Sequence, residues 1–159
     1  PGVGMGVAVG DIDNDGDLDV YVTNYGADKL FRNEGDGRFI DVTNANGIDN
    51  PAWGASATFF DADVDGDLDL YVTNYVTYDS TKVCTDRSGR RHFCGPQKFE
   101  GVADRFYLND GSGQFSDRSE ESGIVSVRLR GLGVFLLMST AMDCQISTWP
   151  TMLILTISG

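Results

Sequence analysis

Gly10-Asp-Ile-Asp-Asn-Asp-Gly-Asp-Leu-Asp-Val-Tyr-Val-Thr-Asn-Tyr25 recurs as Phe60-Asp-Ala-Asp-Val-Asp-Gly-Asp-Leu-Asp-Leu-Tyr-Val-Thr-Asn-Tyr75, at an offset of 50 residues. Self-similarity at such a spacing marks a repeat architecture. A second element repeats as well. Asp28-Lys-Leu-Phe-Arg-Asn-Glu-Gly-Asp-Gly-Arg-Phe39 matches Asp104-Arg-Phe-Tyr-Leu-Asn-Asp-Gly-Ser-Gly-Gln-Phe115, now at an offset of 76 residues. The extra length falls between Val76 and Ala103. The unit is thus an acidic loop, a strand, a hairpin and a short tail, and one copy carries an insertion.

Around these loops the chain reads as β. Val7 to Val9 and Ala55 to Phe60 are short apolar runs that enter the acidic loops. Asp19-Val-Tyr-Val-Thr and Asp69-Leu-Tyr-Val-Thr leave them, rich in β-branched and aromatic residues. Leu30-Phe31 and Phe39-Ile40 flank the Gly-rich turn Asn33-Glu-Gly-Asp-Gly37. Phe106-Tyr107 and Phe115 flank Asn109-Asp-Gly-Ser-Gly113 in the same way. No window sustains a 3.6-residue apolar period. Four short strands per unit fit one blade of a β-propeller, and the repeat disfavours a β-sandwich. The expected class is therefore all-β, a fragment of a β-propeller with about two blades and an aberrant third. Residues 1–50 form the first blade and 51–130 the second, with the Cys-containing insertion at 76–103. Residues 131–159 begin a third.

Each loop reads Asp-x-Asp-x-Asp-Gly-x-x-Asp. The residues are Asp11, Asp13, Asp15 and Asp19 in one, and Asp61, Asp63, Asp65 and Asp69 in the other. A hard divalent cation takes six to eight oxygens, which a tight loop can aim at one point. Gly16 and Gly66 supply the sharp turn. Position 7, Asp17 and Asp67, is where such loops give a backbone carbonyl. Two bare carboxylates at 4 Å repel by about 4 kcal/mol at an effective dielectric near 20, so the pattern calls for a cation. An EF-hand needs Glu at position 12 and flanking helices. Here that position is Val22 or Val72, and the flanks are strand. Calcium suits the flexible all-oxygen cage better than magnesium, and two calcium sites are expected.

The 24 acidic residues exceed the 12 Lys and Arg and leave a formal charge of −12. That argues against nucleic acid and anionic membranes as partners. Cys84 and Cys94 lie ten apart in one polar stretch. The spacing suits a small disulfide loop made in an oxidising compartment, with two free thiols as the alternative. The chain starts at Pro1 with no leader, as expected if a signal peptide has been lost or the piece is internal. His92, the sole histidine, reads as loop surface. Trp53, Tyr21, Tyr25, Tyr71 and Tyr75 could stack on a sugar, but at strand positions they read as inter-blade core. No nucleophile–base pair, open metal site or phosphate loop is apparent.

With these residues in view, Gly10 to Tyr25 and Phe60 to Tyr75 resemble FG-GAP/VCBS repeats, the unit of integrin-α-like β-propellers. The longer blade, with His92-Phe-Cys-Gly-Pro96 and Asp104-Arg-Phe-Tyr-Leu-Asn109, resembles a cartilage acidic protein-like subfamily that includes bacterial secreted members. The resemblance spans residues 1 to about 134. It implies a propeller, often seven-bladed, with calcium held by Asp11, Asp13, Asp15, Asp19, Asp61, Asp63, Asp65 and Asp69, and by carbonyls of Asp17 and Asp67. It further implies a secreted or cell-envelope, non-enzymatic segment for adhesion, ligand binding or scaffolding. Its partners would be neighbouring blades and a protein or glycan ligand, without membrane insertion. The alternative is the propeller domain of a secreted hydrolase or lyase with catalysis elsewhere in the full-length chain.

Beyond Val134 the pattern stops. Gly131-Leu-Gly-Val134 stands where Gly54-Ala-Ser-Ala57 stood, yet no Asp loop follows. An Asp codon in the neighbouring frame needs a following residue whose codon starts AT or AC. Met138, Thr140, Met142 and Ile146 qualify, with the spacing of Asp61, Asp63, Asp65 and Asp69. The junction Met142–Asp143 then forces Gly in the place of Gly66. Residues from about Phe135 to Gly159 are thus expected to be a shifted-frame translation of a third blade, not natively folded, with Cys144 an accident. A membrane anchor is the weaker reading, because Asp143, Gln145 and Pro150 break the apolar run.

Overall fold

The computed structural model describes residues 2–126, 128–137 and 153–158. It is all-β. Strands β1 (Val3–Gly10), β2 (Asp19–Tyr25), β3 (Lys29–Asn33) and β4 (Phe39–Asp41) form one antiparallel sheet in sequence order. The next two strands, β5 (Gly54–Phe60) and β6 (Asp69–Asn74), begin a second sheet. Two short strands, β7 (Cys84–Thr85) and β8 (Arg91–His92), pair with each other inside the insertion. The second sheet resumes with β9 (Arg105–Asn109) and β10 (Phe115–Asp117), again a four-stranded meander. This is the blade pattern expected from the repeat.

Register follows the repeat closely. Gly10 pairs with Asp19 in the first sheet and Phe60 with Asp69 in the second, so each Asp loop bridges its two inner strands. Both first strands carry a bulge at the same repeat position, between Gly4 and Gly6 and between Gly54 and Ser56. The third such strand, β11 (Gly131–Leu137), carries one between Gly131 and Gly133. Bulges add local twist, and β11 shares this feature with β1 and β5.

The two sheets pack face to face through alternating residues. Tyr21, Leu30, Leu70, Val72 and Tyr107 are buried between them with Ile12, Ile48 and Phe115. Full burial of each large apolar side chain contributes about 1.5–3 kcal/mol. Tyr71 and Phe106 point the other way and pack with Phe60 and Ala62 against Val134 of β11. The second sheet is thus covered on both faces, and every residue of β6 is buried. Among the described residues the first sheet is covered on one face only. Val7 and Val9 of β1 are exposed apolar residues on its other face, where they pair with Val22 and Val20, and Met5 is exposed at the bulge.

Cys84 and Cys94 are bonded to each other. The staple ties β7 to the chain just after β8. The insertion is closed at its base where Val76 bridges Gly101.

β11 pairs with β12 (Leu153–Ser158), Leu137 facing Leu153. Fifteen residues separate these two strands, whereas the Asp loops of the first two sheets span eight. The stretch proposed to be read in a shifted frame lies mostly at 138–152, outside the described residues. Among the described residues no helix is long and apolar enough to cross a membrane.

Candidate metal centre

Each Asp loop is wound by its own carboxylates. Asp11 accepts the backbone N–H of Asp15 at 3.2 Å and of Gly16 at 2.9 Å, and Asp15 accepts that of Asp17 at 2.8 Å. The second loop repeats this. Asp61 accepts from Asp65 and Gly66, both at 3.1 Å, and Asp65 from Asp67 at 2.9 Å. These local bonds compete well with any extended conformation, which is why the sequence alone shapes the loop.

The winding brings three carboxylates together in each loop. Oxygens of Asp11, Asp13 and Asp15 lie within 4.8 Å of one another, as do those of Asp61, Asp63 and Asp65. Asp13 Oδ1 is buried and has no hydrogen-bond partner among the described residues. Burial, then the charges of Asp15 and Asp19, raise the Asp13 carboxyl above its ordinary range. Burial and the Asp65 charge do the same to Asp63. An orphaned carboxylate oxygen inside an all-oxygen cluster fits a hard cation.

Asp19 and Asp69 stand beside the clusters and hold the loops to the sheets. The Asp19 carboxylate accepts N–H groups of Ile12 at 2.9 Å and Asn33 at 2.8 Å. Asp69 accepts those of Ala62 at 2.8 Å and Asn109 at 2.9 Å. Both are buried. Burial raises both carboxyls, Asp69 to about 6. The side chains of Asp17 and Asp67 point elsewhere. A Cβ on Gly35 would lie 2.6 Å from an Asp17 oxygen, and one on Gly111 would meet Asp67. Each hairpin turn therefore needs glycine beneath a loop carboxylate. The two loops are also linked, because the Asn14 side-chain amide donates to Asp67 Oδ1 at 2.7 Å.

A second pair of acids plays a part that the sequence did not reveal. Asp28 and Asp104 are equivalent repeat positions at the strand ends away from the Asp loops. The Asp28 carboxylate accepts the Tyr21 hydroxyl at 2.8 Å, the Asn24 N–H at 2.7 Å and the Asn50 side-chain amide at 2.6 Å. Asp104 accepts the Tyr71 hydroxyl at 3.0 Å and the Asn74 N–H at 2.9 Å. Burial raises both, Asp28 to about 6. These acids brace the blade ends. The only signal for them is their place in the second repeated element.

Of the five aromatic residues read as inter-blade core, Tyr21 and Tyr71 are buried there. The expectation fails for Tyr25, which is 42% exposed. It packs edge-on against Trp53, and Trp53 against Tyr75, in a cluster at the surface that Tyr78 joins. The physical reason is position. These rings lie at the strand ends away from the Asp loops, Tyr25 in the last pair of β2 with Val3 and Trp53 and Tyr75 just outside the Gly54–Asn74 pair, at the rim of the inter-sheet core. His92 is exposed, as read.

A 48-residue stretch is 42% identical to cartilage acidic protein 1 of Xenopus tropicalis, covering 30% of this chain and 7% of that protein. The chain thus matches only a small part of that relative's length. Residues 11–72, from the first carboxylate of the first loop to β6 beyond the second, match the sequence model of the FG-GAP-like repeat, a unit of β-propellers.

Proposed function

We propose that this chain is a calcium-binding, non-catalytic β-propeller segment that works outside the cell in adhesion, ligand binding or scaffolding. The observation that carries the reading is the buried Oδ1 of Asp13, without a partner among the described residues, within a three-carboxylate cluster whose grouping recurs at Asp61, Asp63 and Asp65. Asp11, Asp13 and Asp15 would hold one ion, and Asp61, Asp63 and Asp65 a second. Asp19 and Asp69 stand next to them, and the Asp17 and Asp67 carbonyls would complete the cages. The ion would supply charge neutralisation and no redox or hydrolytic chemistry. The Cys84–Cys94 bond supports an oxidising compartment. The exposed apolar face of Val7 and Val9, with Met5 at the bulge, supports a preceding blade as one partner, since a face of this kind is covered in a closed ring.

Calorimetric titration of the whole chain with calcium tests the proposal. Two ions should bind, and Asp13→Ala and Asp63→Ala should each weaken one site. At a hundredfold excess over the dissociation constant, one ion should stabilise the fold by about 2.7 kcal/mol. Absence of binding at millimolar calcium would end the reading.

A further inference from the structure

Two depressions share Tyr78 as a common wall, at the strand ends away from the Asp loops. The larger, about 630 Å³, is walled by Tyr25, Trp53, Tyr78 and Arg105. The smaller, about 380 Å³, is walled by Tyr78, Lys82, Arg91, Phe93 and Phe99. Both volumes suit small ligands. Tyr78 is 42% exposed and Phe93 is 93% exposed. The Trp53 indole N–H has no acceptor among the described residues.

Charge sets this region apart. Residues 76–103 hold five of the twelve Lys and Arg but only three of the 24 acids. The insertion is therefore net +2 in a chain of net −12. Arg91 and Lys82 form no salt bridge among the described residues, whereas Arg90 is paired with Asp86 and Arg105 with Asp117. Lys82 is held over the Phe99 ring, 5.3 Å from its centroid, and donates to the Lys98 carbonyl. The disulfide and the β7–β8 pairing fix the lobe that carries these cations.

We infer that this bipartite cleft binds an acidic oligosaccharide, whose sugars carry carboxylate or sulfate groups. Exposed rings of Tyr25, Tyr78 and Phe93 offer flat apolar faces to sugar C–H groups, and Lys82 and Arg91 meet the anionic substituents. Two depressions divided by one ring suit a ligand of at least two units. The overall charge of −12 disfavours a long polyphosphate. A peptide held as an added strand needs a longer free edge than the two-residue β7 and β8 provide. The inference names a ligand class for the binding role proposed above, at a site distinct from the Asp loops.

The test is calorimetry on the whole chain in saturating calcium with four probes: trigalacturonate, a chondroitin sulfate tetrasaccharide, neutral cellotetraose and an oligoglutamate peptide. At least one acidic saccharide should bind about tenfold more tightly than cellotetraose, and salt should weaken it. The tighter of the two acidic probes identifies the anionic group. Lys82→Ala and Arg91→Ala, both at exposed positions, should each weaken it about fivefold, and Tyr78→Ala should weaken it as well. Equal affinity for cellotetraose, preference for oligoglutamate, no binding at millimolar saccharide, or indifference to both cation substitutions would overturn the inference. Calcium titration of the same samples reports on the Asp loops separately.

Discussion

Asn109, in the second blade, donates its side-chain amide to the carbonyl of Ile12 in the first blade's Asp loop at 2.8 Å. The same amide reaches Leu68 in its own blade's loop at 3.1 Å. Its repeat equivalent Asn33 reaches only its own loop, at Leu18, 3.3 Å away. One buried amide thus ties two acidic loops and two sheets together.

Asn109→Ala should leave the Ile12 and Leu68 carbonyls without this donor. Buried unsatisfied groups cost about 1–3 kcal/mol, so urea denaturation should show a loss of that size. Calcium affinity of the first loop should fall as well, because Ile12 adjoins both Asp11 and Asp13.

Val64→Asn should stabilise the second loop. Val64 has φ of +64°, a left-handed conformation rare for a β-branched residue, and it is 72% exposed. Its equivalent is Asn14 at φ +57°. The left-handed region costs most residues about 1–2 kcal/mol, and asparagine tolerates it. Urea denaturation should show a gain of about 1 kcal/mol. An unchanged midpoint would refute the strain.

Asp28 should make stability depend on pH in a specific direction. Its carboxyl is raised to about 6 by burial, so between the unfolded value of 3.8 and 6 the folded form holds the proton more tightly. Its contribution is fully present below about 3.8 and is lost as pH rises through about 6. Denaturation midpoints of the native chain and Asp28→Asn, at pH 4.5 and 7.5, should diverge accordingly. The native chain should gain relative to the variant at the lower pH.

Reduction of Cys84–Cys94 should cost about 2–3 kcal/mol in the chain-entropy model for so short a loop. The loss should be confined to the insertion. Calcium titration should be unaffected, and saccharide binding should weaken because Arg91 and Phe93 lose their fixed setting.

The shifted-frame proposal predicts Asp codons in the neighbouring frame ahead of Met138, Thr140, Met142 and Ile146. It fits the packing of Val134 against Phe60 and Phe106, which keeps the blade pattern to that point. DNA sequence across codons 134–146 decides it. A codon before any of those four residues that does not end in G would end the proposal.

Local chemistry was legible in the sequence because it is written in short range. Carboxylates two and four residues apart wind each Asp loop, glycine takes the turn, and alternating residues assign strand faces. Cys84 and Cys94 were legible for the same reason, lying ten residues apart in a loop that can close on itself. Asp28 was not legible. Its partners Tyr21 and Asn50 meet it only once β2 and the link to the second blade are in register.

The repeat, the all-β class and the acidic loops can be read from the chain alone, since each arises within one loop or one strand pair. That three carboxylates of each loop converge while Asp19 and Asp69 turn to backbone N–H groups cannot. Which face of each sheet is covered emerges only when the sheets pack. Packing also leaves Asp13 Oδ1 buried without a partner among the described residues, joins Asn109 to Ile12, and sets Trp53, Tyr78, Lys82 and Arg91 around one cleft. These relationships join residues from separate loops and strands. Their burial and charge environment exist only after the two sheets have packed and the insertion has been stapled beside them.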